Sequence, residues 1–489
     1  MKNYLKYLLI ILAVASLSSC YKDYLDPSPK TSISDLTAFD TRDRILGQVN
    51  GLYVPVKSGQ YLGGRYQVYN DIRGDDFLNL QTNGVTGYQT WTLNMATSTN
   101  EVQNLWGAVY AAINRVNVFL EGLETNEAKI VPSMITADEF KQFKGQALAI
   151  RGMAYFHLSQ LYAKPYNMAP SAPGLVLRIT AQRSSADNDK ARSTVAETYA
   201  QILADLTAAV PLLPLTHGSA ILNLTRIQKN TVYALLSRVY LHMNDYTNAL
   251  AAGNNIVPAN APFVAGNGGA AYQLAATFAQ IFASPYTSLE SIFSIPMTPA
   301  ELPGTQNQLG HYFSIPPAGN NEYAINGVSP NWTNLVDFPA TDARRILTRP
   351  NVVNGVPYVF INKYPSFPHT DYAPVFRYAE VLLNVAEAEA KVNGVNARAV
   401  ALLNAVHQRS ENTKTYLISD FANADAFVNQ LLKERNMEFM GEGIRNMDIM
   451  RKVATIGAKG PVAAMPSTSS NYIWPIPETE LNTNKLCVP

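Results

Sequence analysis

Apolar residues recur every three or four positions along two stretches of the N-terminal half, as they do on one face of an amphipathic α-helix. The first stretch runs from Glu139 to Tyr162 and is followed by Lys164-Pro165. The second runs from Val195 to Leu213, with Pro211 and Pro214 at its end. Because proline disfavours the continuation of a helix, these residues mark the helix ends. The pattern predicts two helices packed as an antiparallel pair.

Two later stretches have the spacing of tetratricopeptide repeats, in which two short helices form one unit. Residues 236–258 carry the marker positions Leu236, Ser237, Tyr240, Asn244, Asp245, Tyr246 and Ala249. Residues 378–406 repeat the pattern more weakly, with Gly394 at the turn and Ala399 at the start of the second helix. Helix pairs of this kind stack and bury each other's apolar faces. The predicted fold class is therefore mainly α, an α-solenoid of tetratricopeptide-like helix pairs.

Two long segments between these helices show no helical or strand period. The first covers about residues 61–100 and is rich in Gly, Asn, Thr and Tyr, and the second covers about residues 296–373 and is rich in Pro, Gly and Asn. Loops longer than about 15 residues are usually functional or disordered, and the aromatic content here argues against disorder. We expect both segments to be ordered, irregular insertions built onto the helical core.

Composition and charge exclude one class of partner. The chain has 489 residues, of which 47% are hydrophobic, and a formal net charge of +1. Nucleic-acid binding requires a basic surface, so nucleic acid is not expected as a partner. The 27 Tyr, 18 Phe and 4 Trp residues are suited both to a core and to flat, partly wet binding surfaces.

The N-terminus has the pattern of an export signal. Lys2 and Lys6 precede the apolar run Tyr7–Leu17, which is too short to span a bilayer. The sequence Leu17-Ser18-Ser19-Cys20 then fits cleavage by lipoprotein signal peptidase, which leaves Cys20 as a lipidated first residue. Two or more acyl chains hold a protein stably to a membrane. We expect no disulfide, because Cys487 is the only other cysteine.

One carboxylate cluster is the only candidate for catalysis. The six histidines do not fall at metal-ligand spacing, and no nucleophile elbow, phosphate loop or dinucleotide motif occurs, so no metal, cofactor or catalytic set is expected. Glu434, Glu438 and Glu442 stand four residues apart on a predicted helix, with their carboxylates on one face. A glycosidase needs its two carboxylates on opposite sides of the bond it cleaves. Charged residues nearby are Arg435, Arg445, Asp448 and Arg451. We therefore predict a structural ion-pair network that joins the last helix to the core.

Aromatic side chains of the two insertions are the candidates for ligand contact. A flat ring can stack on the C–H face of a sugar while polar neighbours bond the hydroxyls. The candidates are Tyr61, Tyr66, Tyr69, Tyr88 and Trp91 in the first insertion, and Tyr312, Tyr323 and Trp332 in the second. Asp75 could bind a cation or hydrogen-bond a ligand, although a turn or N-cap role is equally open, and Arg73 could instead hold a carboxylate or sugar hydroxyls. Any single aromatic can instead pack its own loop. We place Trp91 and Trp332 on one exposed binding face.

Several blocks spread over nearly the whole chain match one known family. They are Leu25-Asp26-Pro27, Gly47–Tyr53, Trp106–Asn117, Arg192–Glu197 with Tyr199, Asp205-Leu206 and Pro214, Arg377–Val381, Ala386–Ala388 and Pro475–Glu478. The most specific block comprises Glu434-Arg435, Glu438-Phe439, Gly441, Arg445, Asp448 and Arg451. In this order they resemble the SusD/RagB family of outer-membrane nutrient-binding lipoproteins. The chain departs from the family at Lys164–Asn167, where members commonly have a Gly-Asp-Val-Pro turn, and in its tail, which lacks the usual Gln-Asn ending.

The resemblance implies a single domain with about four tetratricopeptide-like units over residues 20–489, after a signal peptide at residues 1–19. Residues 20–260 would contain helix pairs and the first insertion, and residues 261–489 the second insertion, the late helix pair and a C-terminal helix. It also implies a lipid-anchored protein of the outer membrane, exposed at the cell surface, that lies as a lid on a TonB-dependent, SusC-like transporter. Such pairs import oligosaccharides or peptides.

Three functional classes follow from these observations. The first is a surface protein that captures oligosaccharides or peptides for a transporter and does no chemistry. The second is a surface glycoside hydrolase or peptidase, which a turnover assay would reveal. The third is a tetratricopeptide scaffold that binds only proteins, which buried loop aromatics and a lack of glycan or peptide binding would favour. The lipoprotein signal, the resemblance and the missing catalytic set favour the first.

Overall fold

The computed structural model describes residues 37–333, 335 and 338–488. The predicted lipidation site Cys20 and the block Leu25-Asp26-Pro27 lie outside this part of the chain. Within it, no helix combines the length and the apolar character needed to cross a membrane.

The described residues form a mainly α structure with a few short strands. Its helices are α1 (Arg42–Gly51), α2 (Tyr53–Val56), α3 (Arg65–Ile72), α4 (Tyr88–Thr92), α5 (Asn100–Thr125), α6 (Glu127–Ile130), α7 (Ala137–Tyr162), α8 (Val195–Ala209), α9 (Ala220–Thr225), α10 (Lys229–His242), α11 (Tyr246–Asn254), α12 (Leu309–Phe313), α13 (Pro330–Thr333), α14 (Tyr378–Asn393), α15 (Ala397–Ser410), α16 (Ala424–Phe439), α17 (Arg445–Arg451) and α18 (Glu478–Thr483). Its strands are β1 (Phe77–Asn79), β2 (Ser291–Ile295), β3 (Tyr323–Ile325), β4 (Thr348–Val353), β5 (Val356–Ile361) and β6 (Ala373–Arg377). The strands pair antiparallel as β1–β3, β2–β6 and β4–β5.

The first predicted helix pair is confirmed as α7 and α8, which pack against each other. Both begin with a capping box, in which Thr136 and Thr194 accept hydrogen bonds from backbone N–H groups and the glutamate three residues later returns one. A buried ion pair joins the helices, because Arg151 Nε and Nη2 donate to the two carboxylate oxygens of Asp205 at 2.8 and 2.7 Å. This bidentate pair fixes the register of one helix on the other.

The tetratricopeptide-like pairs are confirmed as α10–α11 and α14–α15. Asn244 turns between α10 and α11 in the left-handed region, at φ 58°, and Gly394 does the same after α14 at φ 77°. The second helices begin at side-chain caps, Asp245 and Asn396. Because α11 packs on α14, the two pairs stack. Gly253 permits this contact, since a Cβ there would meet the Val385 side chain.

The prediction of irregular insertions is wrong in part. The first insertion contains α3, β1 and α4, and the second contains α12, β3, α13 and the β4–β5 hairpin. These elements are three to eight residues long, too short to produce a readable period in the sequence. Pairing of Phe77 with Ile325 and of Asn79 with Tyr323 joins the two insertions directly.

Candidate functional site

Most of the aromatic candidates lie in the core. Tyr61, Tyr66, Tyr69, Tyr312, Tyr323 and Trp91 each expose 3% or less of their surface. Their polar atoms mostly bond inside the protein: Trp91 Nε1 donates to the Phe77 carbonyl oxygen at 2.8 Å, and the Tyr323 hydroxyl to that of Thr86 at 3.0 Å. These rings are therefore buried and not exposed as expected, because the insertions pack their aromatics against the helical core and against each other.

The polar candidates of the first insertion are also engaged inside the protein. Arg73, 1% exposed, donates to Asn446 Oδ1 at 3.2 Å and to the Tyr472 carbonyl oxygen at 2.8 Å. Asp75 accepts from Arg445 Nε and Nη2 at 2.9 and 2.8 Å. Both residues thus tie the first insertion to the C-terminal part of the chain.

Trp332 and Tyr88 are the aromatic candidates that remain partly exposed, and each lies at a concave surface. The Arg345 guanidinium lies 4.3 Å from the centre of the Trp332 ring, and Phe338 meets it edge-on at 5.5 Å. Arg345 also donates to the carbonyl oxygens of Trp332 and Phe338 at 3.2 and 2.6 Å. The indole is therefore held in place on one side, while another part of it lines a cavity.

This cavity, which we call the Trp332 cavity, encloses about 290 Å³. Its lining comes from both insertions and includes Leu78, Ile325, Val328, Trp332, Tyr358 and Gly460. Tyr358 on β5 was not among the residues predicted from the sequence to contact a ligand. The strand β5 has six residues, too few for a recognisable alternation of apolar and polar positions.

A second concave surface, which we call the Tyr88 trough, lies next to the Trp332 cavity. It encloses about 560 Å³ and is lined by Tyr88, the edge of Trp91, and residues 461–466. Gly460 lines the Trp332 cavity and the next residue, Pro461, lines the trough, so the two surfaces are neighbours. The two insertions thus contribute to neighbouring concave surfaces, although the Trp91 ring itself is almost completely buried.

Lys459 anchors a hairpin formed by residues 456–465. Neither the hairpin nor the role of this lysine was predicted from the sequence. Bridges between Ile456 and Met465 and between Lys459 and Val462 form the hairpin. Buried Lys459 Nζ donates to the carbonyl oxygens of Arg73 and Gly74 at 2.9 and 2.7 Å, and to that of Ile72. A cation is favourable at the C-terminal end of α3. Burial and the nearby Arg73 hold the pKa of Lys459 well below its usual value. In the sequence, the Gly460-Pro461 pair indicates a turn at this position.

The ion-pair network of the three glutamates is confirmed. Glu434 accepts from Arg344 Nη1 at 2.5 Å, Glu438 from Arg377 Nη1 at 2.9 Å and Arg409 Nη2 at 2.5 Å, and Glu442 from Arg377 Nε and Lys363 Nζ at 2.7 Å each. Glu442 lies beyond the end of α16 at Phe439, so the three carboxylates do not share one helix as predicted.

The partners differ from those expected. The cations around the glutamates come from residues 344–409, whereas Arg435 and Arg451 both bind Asp448, and Arg451 also binds Glu387. Long-range partners of this kind leave no local spacing in the sequence.

The electrostatics of Glu438 do not suit acid catalysis. Burial alone raises the pKa of its carboxyl, but Arg409, Arg377 and Arg344 outweigh burial and hold the pKa well below its usual range. A general acid at neutral pH needs a raised pKa. Across residues 37–333, 335 and 338–488, no group of three His, Cys, Asp or Glu side chains is placed to hold a metal ion.

Comparison with known proteins agrees with this architecture. Residues 23–241 match a SusD-like family described as starch-binding and associating with the outer membrane, and residues 358–488 match the SusD family. SusD-like protein P2 of Formosa agariphila is 24% identical over 540 residues, which cover 100% of this chain and 99% of that protein. A laminarin-binding SusD-like protein shares the fold, with a TM-score of 0.70 at 20% identity over 92% of this chain and 98% of that one.

The similarity is stronger for a solved SusD superfamily protein from Bacteroides fragilis. It is 30% identical to this chain, the match covers 92% of this chain and 100% of that one, and the TM-score is 0.81. The helix pairs, the paired insertions and the C-terminal ion-pair block therefore have one common explanation, which is that the chain belongs to the SusD/RagB family.

Proposed function

We propose that this protein captures oligosaccharides on the face that contains the Trp332 cavity and the Tyr88 trough. The observation that carries the proposal is the partly exposed Trp332 ring, held over a cavity to which both insertions contribute. The matched family's description as starch-binding, and a structural neighbour that binds laminarin, support a carbohydrate as the ligand.

The geometry of Trp332 suits reversible stacking. A sugar ring presents an apolar C–H face that an aromatic ring can cover, while the hydroxyls stay accessible to polar groups or water. Arg345 and Phe338 restrict the indole before a ligand arrives, so less side-chain entropy is lost on binding. Half-buried Tyr358 on the same cavity supplies a second ring with a polar tip.

Substitution of Trp332 by alanine should weaken oligosaccharide binding by about 1–3 kcal/mol, as for an aromatic anchor at a typical interface. Calorimetric titration with a glycan identified by screening measures the change, and a melting curve checks the fold. Phe367→Ala is the matched control, because Phe367 is a 67% exposed aromatic that lines neither concave surface. Equal affinities of the Trp332→Ala and Phe367→Ala proteins would contradict the proposed site.

We further propose that the chain is anchored in the outer membrane through a lipid on Cys20 and delivers its ligand, unchanged, to a TonB-dependent, SusC-like transporter. Mild detergent extraction of cells that express both proteins should yield them as one complex.

Cys20→Ala should move the protein from the membrane fraction to the soluble fraction without a change in melting temperature. A Cys20→Ala protein that still sediments with membranes after a salt wash would contradict the anchor.

A further inference from the structure

A third concave surface, here called the α1 cleft, is built from residues that the proposed carbohydrate face does not use. It encloses about 470 Å³, a volume in the range of small-molecule sites. Its walls are residues 47–57 of α1 and α2, Thr225 and Arg226 at the end of α9, and the segment after β2 as far as Glu301. Gly47 and Gly51 border open space, because a Cβ at either position would meet no atom within 4 Å.

Arg226 is oriented in this cleft by a ring and a hydrogen bond, and no carboxylate of the described residues pairs with it. Its guanidinium lies 4.5 Å from the centre of the Tyr53 ring, and Nη2 donates to Asn50 Oδ1 at 2.7 Å. Tyr53 is fixed in turn, because its hydroxyl donates to Gln146 Oε1 at 2.6 Å and accepts the Ile227 N–H at 3.0 Å. Arg151 and Arg451, by contrast, each donate from two guanidinium nitrogens to the two oxygens of one carboxylate.

The remaining charges of the cleft leave it positive. Lys57 Nζ lies 2.9 Å from Glu301 Oε2, in an ion pair whose lysine side chain is 21% exposed and whose glutamate side chain is 72% exposed. The lining therefore has two cations, Arg226 and Lys57, against one carboxylate. Among the residues that the structure describes, Arg226 is the cation of this lining that no carboxylate neutralises.

We propose that the α1 cleft binds a sugar that bears a carboxylate, a uronic acid, with Arg226 as the group that receives the carboxylate. The planar guanidinium matches a carboxylate in a bidentate geometry, and Arg226 is already oriented by Tyr53 and Asn50. The Asn50 side-chain N–H groups can donate to sugar hydroxyl groups, and the Thr225 hydroxyl oxygen, which itself donates to the Ile221 carbonyl oxygen at 2.7 Å, can accept from them. This site goes beyond the proposed capture face and does not depend on it.

The test is a titration of the full mature protein with glucuronate, glucose and acetate. Glucuronate should bind at least about tenfold more tightly than glucose or acetate, the effect of one charge-assisted hydrogen bond together with the sugar contacts. Glucose binding as tightly as glucuronate would overturn the role of the carboxylate. Acetate binding as tightly as glucuronate would overturn the assignment to a sugar.

Two isosteric variants should change the affinity in opposite directions. Asn50→Asp places a carboxylate 2.7 Å from Arg226 Nη2, so it should occupy the guanidinium and weaken glucuronate binding about tenfold or more. Glu301→Gln releases Lys57 and removes a negative charge, so it should tighten glucuronate binding severalfold. A purely structural role of these residues would not produce opposite changes.

The control variant is Asn423→Asp, which adds the same charge at the exposed N-cap of α16, where a carboxylate is well tolerated. Its glucuronate affinity should equal that of the unaltered protein. Equal affinities for Asn50→Asp and Asn423→Asp, with both proteins folded by their melting curves, would overturn the site. Loss of glucuronate binding in Trp332→Ala would transfer it to the carbohydrate face.

Discussion

Replacement of Glu438 by glutamine should lower the free energy of unfolding by about 3–5 kcal/mol, the usual cost of breaking a fully buried ion pair. Glu438 is completely buried among three arginines, with Arg344 Nη1 3.6 Å away in addition to the closer Arg377 and Arg409. Without the carboxylate, these cations would be left partly uncompensated in the core. Denaturant unfolding of the two proteins at neutral pH measures the difference.

The control is Glu121→Gln, which removes a carboxylate that pairs with Arg183 at 2.8 Å, with both side chains about half exposed. An exposed pair contributes under about 1 kcal/mol, so this variant should be nearly as stable as the original protein. Equal stabilities of the two variants would contradict the structural role of Glu438. A stable Glu438→Gln protein that had also lost an activity on a glycan would instead support the glycoside hydrolase class.

Acid should reduce the difference between Glu438→Gln and the unaltered protein. The cations hold the pKa of folded Glu438 below its unfolded value of about 4.3. Its stabilising contribution is therefore fully present above that value and is lost as the pH falls towards the folded pKa.

Substitution of Trp91 by alanine should cost about 3–5 kcal/mol of stability, as for other core tryptophans, through the cavity that it leaves. The ring is 3% exposed, bonds the Phe77 carbonyl oxygen, and stacks on Tyr88 at 6.1 Å between centroids. The melting temperature should fall markedly, while oligosaccharide affinity is retained in the fraction that stays folded. Thermal melts and titration below the melting range provide the two measurements.

Trp332→Ala is the matched comparison, since it removes the same side chain from a partly exposed position. Its melting temperature should fall much less than that of Trp91→Ala, whereas its affinity should fall more. The opposite ranking, with lower affinity and an unshifted melt for Trp91→Ala, would place Trp91 on the binding face and contradict its burial in the structure.

The long helices could be predicted from the sequence because their signals are local. Apolar periodicity over more than ten residues, together with the prolines that follow each stretch, predicted α7 and α8 to within a few residues. Gly394 and the Asn244-Asp245 turn likewise set the tetratricopeptide-like pairs, because a left-handed residue and a side-chain cap define where one helix stops and the next begins.

The site could be predicted only by region. Whether a ring in a loop is buried depends on what packs over it, and the pairing of β1 with β3 joins residues about 250 positions apart in the chain. Trp91 and Trp332 therefore looked alike in sequence, although one is core and the other partly exposed. The arginines around Glu438 were missed for the same reason, since Arg344 and Arg377 come from distant segments.

The most direct test of capture without chemistry is a titration of the purified mature protein with a panel of oligosaccharides, followed by chromatography of the recovered glycan. The account predicts saturable binding of at least one oligosaccharide, weakened in Trp332→Ala, and recovery of that glycan at its original length after prolonged incubation. Shortened products formed by the protein, or no saturable binding by any member of a panel that includes starch and laminarin fragments, would contradict it.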